Sequence, residues 1–206
     1  MKKTILIATE NKGKAEEIRE IFKDTDFELR FLYEYRDRLF GFNIYENAKT
    51  FEGNSLIKAI IVGDTLGMLT LADDAGLCVD YLGGKPGVKS ARYSEEATDI
   101  ANYRKLLKEM EGVPFEMRNC HYNCTVAIYD PNTKFVETVS GKWRGRLATV
   151  PRGNKSFGYA PIFLSEDHDY MVTNAELDPW QTVDINHRGR AFRKVIEILN
   201  DHLNRE

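Results

Sequence analysis

Two adjacent carboxylates, Asp73 and Asp74, follow the apolar run of residues 68–72 and stand immediately before Ala75 and Gly76. Carboxylates are hard oxygen donors. Mg²⁺ takes one or two of them and completes its shell with water and substrate phosphates. A metal held this way polarises a phosphoryl oxygen and helps make a water nucleophilic. In an extended chain, neighbouring side chains point to opposite faces, so one aspartate would face a site while the other holds the scaffold. The alternative is a pair of turn and capping aspartates at the end of a strand. Downstream, "GGKPG" at 83–87 supplies small residues past which backbone can approach a ligand, and Arg92 closes the stretch.

Three other stretches carry chemistry of a matching kind. In "ATENKGK" a strand gives way to a polar turn and a helix start, where free N–H groups and the helix dipole attract anions. Lys14 adds a mobile positive charge suited to phosphate. The glycine–lysine spacing is not that of a Walker A loop, and the same residues would serve equally as a helix cap at Asn11 with solvated lysines. In "KSFGYAPIF", Phe157 and Tyr159 lie among small residues, where an aromatic can stack on a base or simply belong to the core. In "INHRGRAFRK", His187 and Arg188 open a helix, placed to read carbonyl groups on a purine or to form an ordinary N-terminal turn.

The elements that must position these residues follow from periodicity. "TILIAT" is a buried strand, and "NKGKAEEIREIFKD" a helix with Ile18, Ile21 and Phe22 on one face. "TFEGNSLIKAIIVGDTLG" predicts a second helix with Leu56, Ile57, Ile60 and Ile61 inward. "MLTLADD" predicts a second buried strand, and "DIANYRKLLKEMEG" a helix ended by Gly112. The pattern then changes to two longer strands around the turn at 130–133, a hairpin. "PIFLS" is a short strand, and residues 187–203 form a C-terminal helix with Phe192, Val195, Ile196 and Leu199 on its stripe. The expected class is α/β with a mixed sheet, on one domain over 1–206 of one or two lobes, and with ligands beyond strand ends.

Composition sets the outer bounds. The 206 residues are 42% hydrophobic and 30% charged, with net charge −3, which gives no global pull toward nucleic acid or an anionic membrane. No apolar run reaches the roughly 18 residues of a membrane span. The N-terminal apolar run is too short for a secretory signal, so a cytoplasmic protein is expected. An odd count of three cysteines argues against a disulfide scaffold. Cys120 and Cys124 should share a strand face about 13 Å apart, too far to share a metal.

Taken together the stretches resemble the inosine/xanthosine triphosphate pyrophosphatase family. The family pattern T-x-N-x-x-K stands here as residues 9–14. T-F-x-E-N-A-x-x-K-A stands as "TFEGNSLIKA", and A-D-D-S-G-L-x-V-D-x-L-G-G-x-P-G-x-x-S-A-R-Y as "ADDAGLCVDYLGGKPGVKSARY". F-G-Y-D-P-x-F appears as "FGYAPIF", and S-H-R-x-x-A as "NHRGRA". The match keeps order and spacing over nearly the whole chain. The resemblance implies an elongated α/β fold of two lobes with a central nucleotide cleft, usually a homodimer. It also implies Mg²⁺-dependent hydrolysis of a nucleoside triphosphate to monophosphate and pyrophosphate. Asp74 would be the main catalytic and metal carboxylate, supported by Asp73. Lys14 and Lys58 would hold phosphates, Phe157 would stack on the base, and His187 and Arg188 would read its edge. Thr9, Asn11, Ala75, Arg92, Gly158 and Tyr159 would complete the substrate contacts.

Departures fall at polar positions. The family's metal-binding glutamate aligns with Gly53, and neighbouring Glu52 is turned about 100° away on a helix. The base-contacting aspartate is Ala160, a serine is Ala75, a lysine is Thr182 and another serine is Asn186. Loss of these groups leaves two alternatives open: a homologue that binds nucleotide with little or no turnover, or a pyrophosphatase with altered base preference. The departures also carry an expectation of room. A glutamate at position 53 should be neutral or stabilising by roughly 0.5–1 kcal/mol in a helix, and an aspartate at 160 should fit.

Overall fold

The structure, a computed structural model, describes residues 3–39 and 44–203. In chain order its elements are β1 (Lys3–Ile7), α1 (Lys12–Phe22), β2 (Phe27–Phe31), α2 (Phe51–Leu66), β3 (Thr70–Val79) and α3 (Asp99–Glu109). Then come β4 (Asn119–Asp130), β5 (Phe135–Leu147), β6 (Phe163–Ser165), the short helix α4 (Pro179–Thr182) and α5 (His187–Leu203). The strands form one six-stranded sheet in the order β2-β1-β3-β4-β5-β6. It is mixed, as expected: β2 and β3 run parallel to β1, whereas β6 is antiparallel to β5.

The chain divides into two compact units. The first holds the residues up to Asp74, Cys124–Gly141 and the chain from Arg188 on; the second holds Ala75–Asn123 and Lys142–His187. In the first, β1 lies between two parallel neighbours and its consecutive side chains are buried on both faces, so it reads as an unbroken apolar run. Ile5, Leu6 and Ile7 are at most 1% exposed. Helix α1 buries Ala15, Ile18, Ile21 and Phe22 and starts from Asn11, whose side chain accepts the Lys14 N–H as the sequence suggests. Helix α5 buries Phe192, Val195 and Leu199, with Ile196 half-buried.

Helix α2 corrects the sequence reading. It buries Asn54, Ser55, Ala59, Val62 and Gly63, while Leu56, Ile57 and Ile61 are half-buried and Ile60 is exposed. Two stripes of this helix repeat at helical spacing, one large and apolar, one small. The small one is inward because the helix lies close to the sheet: a Cβ at Gly63 would come within 2.7 Å of the Tyr129 ring. Strand β3 is also longer than expected. It runs through "ADDAGLCV", so Asp73 and Asp74 stand in its middle rather than at its end.

In the second unit the core gathers Leu77, Leu106, Met110, Trp143, Phe163 and Tyr159. Gly145 on β5 is required by close packing, since a Cβ there would lie 2.7 Å from the Phe163 ring. Buried Arg118 ties the end of α3 to the end of β5, donating to the carbonyls of Met110, Leu147 and Ala148 at 2.7–2.9 Å. The hairpin turn between β4 and β5 is held by Asp130, which accepts the Asn132 N–H at 2.9 Å. The three cysteines are free thiols.

Candidate active site

Alternation along β3 sends its two aspartates into different surroundings. Asp73 is 2% exposed. Its Oδ2 accepts from Lys14 Nζ at 2.9 Å and from an Arg188 NH group at 3.5 Å. The other Arg188 NH group pairs with Glu17 on α1. Burial alone would push the Asp73 carboxyl up, but Lys14, Arg188 and Lys58 outweigh it and hold the group below the usual carboxylate range. Arg188, itself 2% exposed, is pushed down by burial and up more strongly by Glu17 and Asp73, so it keeps its proton. The Cys124 thiol lies 3.9 Å from Asp73; burial and that carboxylate push it up to about 12, which makes it an unreactive packing group. The outcome is a buried ion cluster that holds Lys14 beside the start of α1, where helix N–H groups already favour an anion.

Asp74 points to the other side of β3, toward α2, and is half-buried. Among the described residues its one hydrogen-bond donor is Asn54 Nδ2, 2.9 Å from Oδ2. Burial raises its carboxyl above the ordinary range, against the pull of Asn54, Lys58 and Lys14, and nearby Glu46 adds to the rise. Lys58 Nζ pairs with Glu46 Oε1 at 3.0 Å and donates to the Asp73 carbonyl at 3.1 Å. Two carboxylates, Asp74 and Glu46, thus stand about one lysine.

Glu46 is a carboxylate of this cluster that the sequence reading missed. It lies outside any regular element, in a segment bound to the first turn of α2 by the Ala48 N–H, which donates to Asn54 Oδ1 at 2.9 Å. Gly53 permits that approach: a Cβ there would sit 2.7 Å from Ala48 Cβ and 3.2 Å from Thr50 Oγ1. The expectation that a glutamate at 53 would fit is therefore corrected; the space is occupied by the segment that carries Glu46. Glu52 is not a substitute, because its carboxylate accepts from Thr138 at 3.1 Å. Three letters, "YEN" ahead of "AKTFEGN", were the available signal.

The remaining expected residues take these places. Thr9 is buried, and its hydroxyl accepts the Asn11 N–H at 3.2 Å; Asn11 is exposed at the start of α1. Ala75 follows Asp74 on β3 and is half-buried, while Arg92 is exposed at the end of the 3₁₀ turn Gly87–Arg92. Phe157 is 39% exposed, a face open to stacking. Gly158 adopts φ 65°, and its N–H donates to Asp99 at 2.8 Å. Tyr159 is buried with its hydroxyl donating to the Ser90 carbonyl at 2.8 Å, so it stitches the 157–160 turn to the Gly87–Arg92 turn. His187 is buried and lies flat on Tyr122, with centroids 4.7 Å apart and planes 14° from parallel. Ala160 is 1% exposed, which corrects the expectation of room for an aspartate, and Thr182 and Asn186 are buried as well.

Among the described residues no group of three or more His, Cys, Asp or Glu side chains is arranged to hold a metal. A pair of carboxylates beside lysines suits a hard cation that takes most of its shell from water and phosphate, and poorly suits a protein-caged transition metal.

Comparison with known proteins gives a consistent picture. The model of the Ham1 family matches residues 5–198. A dITP/XTP pyrophosphatase of Bacillus licheniformis is 41% identical over 199 residues, covering 96% of this chain and 98% of that protein. One of Geobacter sulfurreducens is 43% identical over 200 residues, covering 97% and 96%. Among solved structures, a HAM1 protein from Coxiella burnetii superposes with a TM-score of 0.84 at 32% identity, covering 97% of this chain and 99% of that one.

Proposed function

The chain belongs to the Ham1 family, and from that premise we propose that it hydrolyses inosine- and xanthosine-type purine nucleoside triphosphates (ITP, dITP, XTP) to the monophosphate and pyrophosphate. The observation that carries the reading is the full-length similarity to dITP/XTP pyrophosphatases together with a lysine–carboxylate cluster on β3, α1 and α2. Lys14 and the start of α1 receive the triphosphate, with Asp73, Arg188 and Glu17 fixing the lysine from behind. Arg188 acts in this way through Asp73, and the edge of the base falls to His187 while Phe157 stacks on its face.

Asp74 and Glu46 would hold a divalent cation, and Mg²⁺ fits their oxygen donors best. Such an ion, when bound, withdraws charge from the phosphoryl oxygens. Lys58, released from Glu46, turns to the phosphates. Release of pyrophosphate requires cleavage between the α- and β-phosphorus atoms. The Asp74 oxygen not held by Asn54 accepts the proton of the water that adds to the α-phosphorus, as the bond from that phosphorus to the bridging oxygen breaks and pyrophosphate leaves. The alternative of binding without turnover rested on the missing polar groups at Gly53 and Ala160; Glu46 beside Lys58 supports the catalytic reading by offering a second carboxylate. Homodimeric assembly and a cytoplasmic location belong to the same proposal; among the described residues no helix is long and apolar enough to cross a membrane.

Product analysis tests the reading. Incubation with ITP and Mg²⁺ should give inosine monophosphate and pyrophosphate in equal amounts, and chelation of the cation should stop it. Inosine diphosphate and orthophosphate as products would overturn it.

A further inference from the structure

Asn54 is 1% exposed and both ends of its amide are engaged. Its Nδ2 donates to Asp74 Oδ2, and its Oδ1 accepts the Ala48 N–H, each at 2.9 Å. One end therefore orients the carboxylate on β3. The other clamps the segment that brings Glu46 to Lys58. Thr50 sets the same corner from below, capping α2 through the Gly53 N–H at 3.0 Å, and Gly53 leaves the space in which Ala48 lies. A carboxamide is the side chain of this length that offers one donor and one acceptor in a fixed plane. A buried polar group of this kind is costly unless satisfied at both ends.

We propose that Asn54 is a positioning residue that couples Asp74 and Glu46, setting the spacing of the two carboxylates before any ligand arrives. The proposal rests on the reading of this cluster as the cation- and triphosphate-handling centre. Groups that orient metal-binding carboxylates typically change affinity or activity by roughly 10–100-fold when removed. Lys14 and α1 are held by a separate cluster, so substrate binding should be little altered and the loss should fall on kcat.

Two substitutions separate the two ends of the amide. Asn54→Leu removes both bonds at similar volume. Asn54→Asp keeps an acceptor for the Ala48 N–H but loses the donor to Asp74. Three readouts are taken: hydrogen exchange at the Ala48 amide, Mn²⁺ affinity of the protein alone by calorimetry, and kcat against KM with ITP. In Asn54→Leu, Ala48 exchange should rise about tenfold or more while amides of β1 and α5 keep their protection. Mn²⁺ binding should weaken and kcat fall, each by roughly tenfold or more, with KM changed less than about threefold. In Asn54→Asp, Ala48 should stay protected while kcat still falls. Should Asn54→Leu not fold, Asn54→Asp and Asn54→Ser carry the same comparison. Unchanged Ala48 exchange in a folded Asn54→Leu, or wild-type kcat in Asn54→Asp, overturns the proposal. A wild-type protein that binds Mn²⁺ and loses that affinity on Asn54→Leu, yet cleaves no triphosphate, would instead refute the function and leave the positioning role standing.

Discussion

Replacing Asp73 with Asn should cost stability before it costs chemistry. The carboxylate is 2% exposed and carries two cations, Lys14 at 2.9 Å and Arg188 at 3.5 Å. Removing one partner of a buried pair typically costs about 3–5 kcal/mol, because the charge left behind is uncompensated. Here the lower end applies: the Lys14 side chain is 19% exposed and can swing to water, and Arg188 keeps Glu17. For 206 residues the unfolding entropy near the midpoint is roughly 0.43 kcal/mol per degree. A loss of about 3 kcal/mol therefore lowers Tm by roughly 7 °C. The dependence on pH supplies a second check. The folded carboxyl of Asp73 lies below its unfolded value of about 3.9, so its stabilisation is complete above that pH and is lost as pH falls through the lower, folded value. The gap between wild type and Asp73→Asn should accordingly narrow below about pH 4. Calorimetric melts of both proteins from pH 7 down to pH 3 measure it. A Tm within about 2 °C of wild type at pH 7, or a gap that widens on acidification, would refute the buried-cluster reasoning.

Gly53→Ala should gain roughly 0.5–1 kcal/mol of helix propensity but lose about 1–3 kcal/mol to the contact with Ala48. The expected result is a lower Tm and a lower kcat as Glu46 is displaced, so a stabilised, fully active variant would contradict the packing. Asp74→Asn should remove most turnover and leave Tm equal or higher at pH 7. Its carboxyl is raised by burial, so the wild type is penalised at neutral pH, and that penalty disappears as pH falls through the folded value; thermal melts with parallel assays follow both. Ala160→Asp should cost at least about 2 kcal/mol, since position 160 is 1% exposed and a buried carboxylate lacks water, and a melt unchanged from wild type would show that the side chain escapes to solvent.

Much of the fold was legible because its signals are local. Helix α5 spans His187–Leu203, the residues expected of it from the sequence, and Asn11 caps α1 as its type demands. The inward face of α2 was not legible, since two stripes repeat at the same spacing and only contact with Tyr129 selects the small one. In the candidate site, Asp73, Asp74 and Lys14 were singled out from residue type and order, and Lys58 only through the family resemblance. Glu46 was not, because its place depends on an irregular segment held by a buried amide and admitted by a missing Cβ, none of which has periodicity. The same blindness made Gly53 and Ala160 look like vacated positions, when one is covered by Ala48 and the other is core.

The most direct measurement is pyrophosphate release from ITP, dITP, XTP, ATP and GTP at equal concentration with Mg²⁺, read as kcat/KM for wild type and for Glu46→Gln. The expected result is turnover of the inosine- and xanthosine-type triphosphates in preference to ATP and GTP, with Glu46→Gln losing turnover on every substrate by a similar factor. No pyrophosphate from any nucleotide, or a Glu46→Gln protein as active as wild type, would contradict it.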